Sequence, residues 1–535
     1  MSVRPTRSTY APCEDVTVRV GAAPVGSMLT IRGVAGIAAE LAVDGPEVAV
    51  GALPIGGYGV DLWGPDGALL ASSAFDVLTD PLDRPRYGFV AHYGPDVDVA
   101  ALQAHAVRMH LNAVQHYDWA HSYTELVAPD GCDEYTDSLG NRVSVAVLRA
   151  MLAAFREIGA APLGYAAVYG VPADQWDTWG DVGLYRSTGQ PYGFGDDFLN
   201  VVDPGAPRWR RQIVGAIRRS YEEIGFAGFH LDQYGWPKRA LRADGSETDL
   251  SQTLPALVDQ IAGAVPDARL IFNNVNGFPL DRAARVRQSA LYTEVWPPRV
   301  ELRDLVDLVA QSRGLSPLPV IVAAYMEVFH DVGGRAARDA ARLTMATIFS
   351  SGATHLFTGE DGRLLVHPYY VRSEAADDET LDLLERWYTF LVRHGDLLVY
   401  PAVVDVTAAY FGEYNADVVV EAPSGVRVSI HPEPGVVWAR VMRTDHGLVV
   451  HLVNLTGQDE TGWDTPKRPI EPVRGLVLRL RQVGREPVAV RWLDPEIPGP
   501  GDRLEAVADD IDQVTQLPAL GAWAAVHVPT DQEWR

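Results

Sequence analysis

The chain has 535 residues, 47% hydrophobic and 21% charged, the balance of a soluble globular protein with several domains rather than one core. A formal net charge of −25 argues against nucleic acid and against an anionic membrane surface, both of which call for a basic face, and it suits a neutral substrate. Two cysteines, Cys13 and Cys132, are too few for a disulfide scaffold.

Met1–Val18 carries Pro5, Pro12, Glu14 and Asp15 and no continuous apolar run of the signal-peptide kind. No stretch of roughly 18 uncharged apolar residues follows. The expectation is a cytoplasmic protein without a spanning helix. Residues 1–82 read as all-β. Val16–Val20 and Leu29–Gly33 alternate with period two, Gly56–Trp63 reads as a late strand, and Gly64-Pro65-Asp66-Gly67 has turn composition. This predicts an N-terminal immunoglobulin-like β-sandwich, closed by a linker at Thr79–Pro85.

From residue 83 to 397 short apolar runs alternate with longer segments of helical period. The predicted strands are Tyr87–Tyr93, Ala113–Tyr117, Pro162–Val168, Gly228–Gln233, Leu270–Asn274, Leu291–Trp296, Val320–Tyr325 and Thr354–Gly359. The predicted helices are Asp98–Met109, Val145–Glu157, Arg208–Ile224, Leu254–Ala264, Arg282–Gln288, Leu302–Gln311, Ala336–Phe349 and Thr380–Val392. Eight such units match a (β/α)8 TIM barrel. A doubly wound sheet would want a Gly-rich phosphate loop after its first strand, and Ala91-His92-Tyr93-Gly94-Pro95 is not one. The connections Asp118–Ser144 and Tyr169–Pro207 are long and rich in Trp, Tyr and His, as befits a binding rim. Residues 398–535 return to period two at Asp417–Ala422, Gly425–Ile430, Val436–Met442, Gly447–Leu455, Gly475–Leu480, Val488–Leu493 and Gly521–Val528, which predicts a C-terminal antiparallel β-sandwich. Gly457–Pro472 reads as a polar loop.

Two strands end in acids among aromatics: Asp232 in Gly228-Phe229-His230-Leu231-Asp232-Gln233-Tyr234-Gly235, and Glu294 in Ala290-Leu291-Tyr292-Thr293-Glu294-Val295-Trp296-Pro297. Cleavage of a glycosidic bond needs two carboxyl groups, one to protonate the leaving oxygen and one to attack or to activate water. His230 and Asp232 fall on one side of their strand, as do Tyr292, Glu294 and Trp296 of theirs. An aromatic wall desolvates a carboxyl, raises its pKa and offers a sugar ring a stacking face. A lone acid at a strand end is as well suited to capping a helix or to a salt bridge. Two of them, in the fourth and sixth strands, favour catalysis.

A ring of further candidates surrounds the pair. Tyr93, His116, Tyr117, Asp118, Trp119, His230, Gln233, Asn274, Trp296, Tyr325, Glu327 and Glu360 all lie near strand ends, where they would bind sugar hydroxyls or stack on rings. Asn273 and Asn276, beside Asn274 after the fifth strand, suit the same work. For Asp118, Glu327 and Glu360 surface hydrogen bonding, and for the three asparagines turn formation, are the plain alternatives. No catalytic metal and no cofactor are expected. His92, His116 and His230 lie near strand ends, but the first strand has no His-x-His pair, and no His-Glu-x-x-His or Cys-x-x-Cys occurs. Gly-x-Ser-x-Gly is absent as well.

With Tyr87–Tyr93, His116–Trp119, Gly228–Gly235, Tyr292–Pro297, Ser73–Val77, Leu139–Asn141 and Val450–Leu455 in their order and spacing, the chain resembles glycoside hydrolase family 66, the family of dextranases and cyclodextran-forming glucanotransferases. The resemblance implies an α-1,6-glucan substrate and retention through a covalent glycosyl-enzyme. Asp232 then looks like the nucleophile and Glu294 like the acid/base, with Tyr117, Asp118, Gln233 and Trp296 beside the cleaved bond. Cyclising members carry a carbohydrate-binding module inserted in the barrel, and no barrel loop here is long enough for one. Family dextranases are often exported, and no signal-type segment is seen here, so of the expected partners, dextran or isomalto-oligosaccharides, imported oligosaccharides fit better than the large polysaccharide. Transglycosylation, another α-linkage, and a sugar-binding barrel without turnover are the rival readings.

Overall fold

A computed structural model describes residues 1–195, 198–399, 403–412, 414–481 and 486–529. Its centre is an eight-stranded sheet in which strands run parallel in sequence order. They are Tyr87–Val90, Ala113–His116, Ala161–Ala167, Gly228–Asp232, Arg269–Asn273, Ala290–Glu294, Val320–Ala323 and Thr354–His355. The sheet rolls into a nearly closed barrel. At the seam, a side chain at Gly359 would come within 2.5 Å of the Phe89 carbonyl oxygen, so glycine lets the chain after the eighth strand pass close to the first. Glu360 then accepts from the backbone N–H of His92 at 3.2 Å.

The predicted strands overshoot by up to four residues at their C-terminal ends. Tyr117, Gln233, Trp296 and Tyr325 come just after the last ladder residue, where the chain turns outward into the catalytic-face loops. Helices on the outside cover the barrel with their apolar faces: Leu148, Met151, Leu152 and Phe155 on Val145–Glu157, and Leu383, Leu384, Trp387 and Leu391 on Asp378–Arg393. The helix expected from Leu254 begins at Leu250, because the Asp249 carboxylate caps it by accepting from Ser251 N–H. Pro255, which reads as a first-turn residue, sits inside it instead.

Before the barrel lie a three-stranded and a five-stranded sheet that share one apolar core, built on Val16, Val18, Leu29, Ile31, Val60, Leu62 and Phe75. After it lie a seven-stranded and a four-stranded sheet around Val437, Val450, Leu452, Leu478, Trp492 and Val526. Strands Asp502–Leu504, Val507–Asp509 and Asp512–Gln516 were not expected. The N-terminal sheets are tied to the barrel by buried ion pairs. Arg86 and Asp76 pair, Arg393 grips Asp61 with both guanidinium arms, and Asp396, paired with Arg84, also accepts from Gly57 N–H at 2.9 Å. A side chain at Gly59 would fall 2.2 Å from the Arg393 guanidinium carbon, so glycine clears the path of that arginine. On the C-terminal side Glu496 accepts from Arg342, Arg386 and Trp387 of two barrel helices. The polar loop at 457–472 also lies against the barrel, where Trp463 N–H donates to the Val300 carbonyl and the Asp464 carboxylate accepts from Val328 N–H.

Candidate functional site

Parallel strands alternate their side chains between barrel interior and helix layer. On the fourth strand His230 and Asp232 point inward, on the sixth Tyr292 and Glu294, and all four line a cavity of about 540 Å³ at the C-terminal ends of the strands. The fifth strand lies between these two, and its inward residue at that height is Asn273. One amide group therefore serves both acids: Asn273 Nδ2 donates to Asp232 Oδ1 at 2.7 Å and to Glu294 Oε2 at 2.8 Å. Two oxygens held at those distances from a single nitrogen are at most 5.5 Å apart, the sum of the two bonds. Each carboxylate has a second anchor. The Tyr165 hydroxyl donates to Asp232 Oδ2 at 2.8 Å, and the Tyr325 hydroxyl donates to Glu294 Oε1. All four oxygens are thus accounted for, which fixes both side chains before any substrate arrives.

Burial pushes both acids above their ordinary values, and the charge of Glu294 raises Asp232 further, against the pull of the Asn273 and Tyr165 donors. Two negative charges this close in a dry cavity disfavour each other, so the pair holds a proton to a higher pH than either acid would alone. Beneath them His230 donates to or accepts from the Tyr87 hydroxyl at 3.1 Å, and burial lowers it to about 3. It is neutral, and brings no cation to the pair.

Aromatic rings form the rest of the cavity. Tyr117 stacks on Tyr370 with centroids 4.3 Å apart and lies 4.9 Å from Tyr165. On the opposite rim Phe194 packs on Tyr234 at 4.3 Å and on Trp236 at 4.8 Å. Trp236 is 37% exposed, so this wall reaches the mouth. Rings of this kind, together with the polar groups of the lining, suit the apolar faces and the hydroxyl rim of a sugar.

Of the residues expected here, Tyr117, His230, Gln233, Trp296 and Tyr325 line the cavity with the two acids. Gln233 works on the backbone, donating to the carbonyls of Asn273 and Phe278. Asp118 sits behind the lining with φ +45°. Burial, then the charges of Asp137 and Asp232, push it up to about 8, while the Tyr123 and Tyr117 hydroxyls oppose the rise.

Six more expected residues are not brought to the cavity. His116 falls between Gln115 and Tyr117, which face inward, so by strand parity it faces the helix layer. There it packs on Phe155 and Phe226, and burial lowers it to about 3. Asn274 is likewise one residue out of phase with Asn273, and its amide ties the carbonyls of Phe272 and Tyr292. Tyr93 is buried with its hydroxyl on the Val90 and Tyr117 carbonyls, and Trp119 is buried with its indole N–H on the Tyr165 carbonyl. Glu360 closes the barrel seam against His92. Glu327 is exposed at the start of the short helix Val328–Asp331. Conversely, Tyr165 and Tyr370 belong to the site and were not singled out as its members, and Asn273, expected with its neighbours as a ligand of sugar hydroxyls, holds the two acids instead. The inward parity of Asn273 and Tyr165 is a usable signal, whereas Tyr370 arrives from a loop after the eighth strand and has none. Among the described residues, no three His, Cys, Asp or Glu side chains converge as ligands of a metal would, and no helix is long and apolar enough to cross a membrane.

The family described as glycosyl hydrolase family 66 matches residues 52–479. A cycloisomaltooligosaccharide glucanotransferase of Niallia circulans is 24% identical over 314 residues, 54% of this chain and 32% of that protein. A dextranase of Streptococcus salivarius is 24% identical over 419 residues, 69% of this chain and 48% of that protein. The chain thus spans 32% and 48% of the length of these curated relatives. Among solved structures, a Paenibacillus sp. cycloisomaltooligosaccharide glucanotransferase complexed with cycloisomaltoheptaose shares the fold at a TM-score of 0.86, with 19% identity over 98% of this chain and 99% of that one. An α-amylase of Geobacillus thermoleovorans complexed with acarbose is more distant, at 0.52 with 11% identity over 84% and 100%. Since the family match extends over most of the sequence, the chain belongs to glycosyl hydrolase family 66.

Proposed function

We propose that the protein is a retaining glycoside hydrolase that cleaves α-1,6-glucosidic bonds in isomalto-oligosaccharides. The observation that carries this reading is the Asn273 amide bridging Asp232 and Glu294, which keeps the two carboxyl groups within the roughly 5–5.5 Å that retaining enzymes use and leaves no room for the water an inverting enzyme places between them. Asp232 attacks the anomeric carbon while Glu294 gives its proton to the leaving glycosidic oxygen. This forms a glycosyl ester on Asp232 and frees one sugar. Glu294, now a carboxylate, takes a proton from water, whose oxygen attacks the ester and releases the second sugar with Asp232 restored. The α-1,6 linkage rests on the relatives, one named a dextranase and another a cycloisomaltooligosaccharide glucanotransferase. The name of the second also favours a sugar hydroxyl as an alternative to water, and longer products at high oligosaccharide concentration would reveal that transfer.

Incubation with isomalto-oligosaccharides tests the proposal. The wild type should release glucose or shorter oligosaccharides whose first-formed anomer is α. Asp232→Asn and Glu294→Gln should each lose activity by about a thousandfold or more. Full activity in both variants, or a β first product, would end it. The surrounding architecture is read as an immunoglobulin-like sandwich over residues 1–82, a (β/α)8 barrel over 83–397 and a second sandwich over 398–535. The two sheets sharing one core on each side of the barrel support that division.

A further inference from the structure

A narrow cleft of about 30 Å³ opens where the N-terminal sheets, the last long barrel helix and the C-terminal sheet meet. Its polar lining is entirely basic: Arg32, Arg393, His394, Arg491 and His527. None of these residues lines the carboxylate cavity. The sheet register sets two arginines and a histidine in one row. Arg491 lies directly opposite His527 on one neighbouring strand and opposite Arg503 on the other. Residues paired in this way project from the same face about 5 Å apart, and like charges there repel. Arg32 faces the row from the strand Met28–Gly33, and His394 from the C-terminal end of the helix Asp378–Arg393.

Some of this charge is already spoken for. Arg393 is held by Asp61, Arg503 by Glu505 at 3.1 Å, and His527 Nε2 by the His446 carbonyl at 2.9 Å. The remainder is not. Arg32 Nε is buried without an acceptor, and among the described residues no carboxylate pairs with Arg32 or Arg491. Burial and then the charges of Arg32 and Arg503 lower Arg491, while burial and then Arg393, His527 and Arg491 lower His394. A protein that sets two guanidinium groups against each other at a junction, with no carboxylate between them among the described residues, bears a repulsion that a bound anion would remove.

We propose that this cleft binds a small inorganic oxyanion of the phosphate or sulfate class, held between Arg32 and Arg491 and bracing the three parts of the chain against one another. The guanidinium fork matches two oxygens of such an ion at once. The enclosed space is that of about one water, so the ion sits at the open mouth of the cleft with its oxygens turned inward, where a sugar ring could not follow them. The effect is on stability, because the cleft shares no residue with the site of reaction.

Thermal unfolding of the full chain tests this, in phosphate, sulfate and chloride at matched ionic strength. For a chain of this length the wild-type Tm should rise by about 1 °C for each tenfold step in free phosphate above the Kd, with sulfate acting alike and chloride without effect. Arg32→Gln and Arg491→Gln should each abolish the response and leave kcat/KM unchanged. An equal response in wild type and variants would be a general salt effect and would overturn the proposal, as would no response in the wild type. A larger rise with glycerol phosphate than with inorganic phosphate would overturn the small inorganic ion as occupant. Should a Gln variant fail to fold, Arg491→Lys keeps the charge and loses the fork. Titration calorimetry should then show phosphate binding weakened by about tenfold, and unchanged affinity refutes the assignment.

Discussion

Asn273→Ala removes two hydrogen bonds with one substitution, one to each acid, and leaves the carboxylates themselves in place. The bonds measure 2.7 and 2.8 Å, and a hydrogen bond to a charged group is worth about 1.5–3 kcal/mol. The pair shares a proton in the resting enzyme, so only one of the two bonds is charge-assisted before reaction. The glycosyl transfer moves that proton from Glu294 to the leaving oxygen, and both bonds then matter. A loss of about 2–4 kcal/mol in kcat/KM follows, roughly 30- to 1000-fold. The pH profile gives the sharper readout. An ionised Asp232 without its Asn273 donor is less stable relative to its acid form, so its pKa rises. About 1.4 kcal/mol corresponds to one unit. The acid limb of kcat/KM should therefore move up by about one unit when isomalto-oligosaccharide hydrolysis is followed from roughly pH 4 to 9. Asn274→Ala is the matched control. Its amide ties two backbone carbonyls at 3.0 Å, so it should cost stability and leave the limb where it was. If Asn273→Ala loses less than about threefold and its limb stays within about 0.3 unit of the wild type, the amide does not position the pair and the geometric basis of the mechanism fails.

Other consequences are simpler to read. His116→Phe should keep kcat/KM within about threefold and leave Tm equal or higher, because it replaces a buried ring whose nitrogens are unbonded with an apolar one; a hundredfold loss would return His116 to the substrate site. Arg393→Ala should destabilise the chain by about 3–5 kcal/mol, since it strands the buried Asp61 carboxylate, and urea titration measures it; a change under about 1 kcal/mol would mean that water replaces the guanidinium. Burial raises Glu496, but bonds and charge from Arg342, Trp387 and Arg386 prevail and hold it below its ordinary 4.5. A depressed carboxylate stabilises above its unfolded pKa and loses that contribution as pH falls through its folded one. Glu496→Gln should therefore lower Tm at neutral pH and flatten its fall below about pH 4.5, and parallel Tm curves for the two proteins would refute the role.

How much of this was legible in the sequence depends on which physical signal each residue carries. The barrel strands announce themselves by short apolar runs, and their C-terminal ends by the acids and aromatics that follow. The N-terminal and C-terminal sheets show period two wherever one face is buried, as at Val16–Val20 and Val477–Arg481. The strands Asp502–Leu504 and Val507–Asp509 carry too few buried residues to alternate, and form only because a partner strand offers them hydrogen bonds. In the site, proximity to a strand end is a weaker guide than parity. His116 and Asn274 lie at strand ends and face away, while Gln115, Tyr117 and Asn273, one residue along, face in. A shift of one residue reverses the face in a strand, so the inward set follows from fixing a single member of each strand.

Parity alone still does not yield the central contact. That Asn273 touches both acids follows from its strand lying between theirs and from the height at which the ladder sets it: Asn273 pairs with Tyr292, while Phe272 pairs with Leu231. A parallel barrel staggers its strands, so residues of equal parity on neighbouring strands meet only when the stagger brings them level. Asp232, Asn273 and Glu294 are 41 and 21 residues apart in the chain. Local composition carries no trace of such a relation, yet the eight-strand order, once read, reduces it to one choice. The fifth strand must supply whatever stands between the acids of the fourth and sixth, and its last ladder residue, Asn273, has an inward side chain with two hydrogens to give.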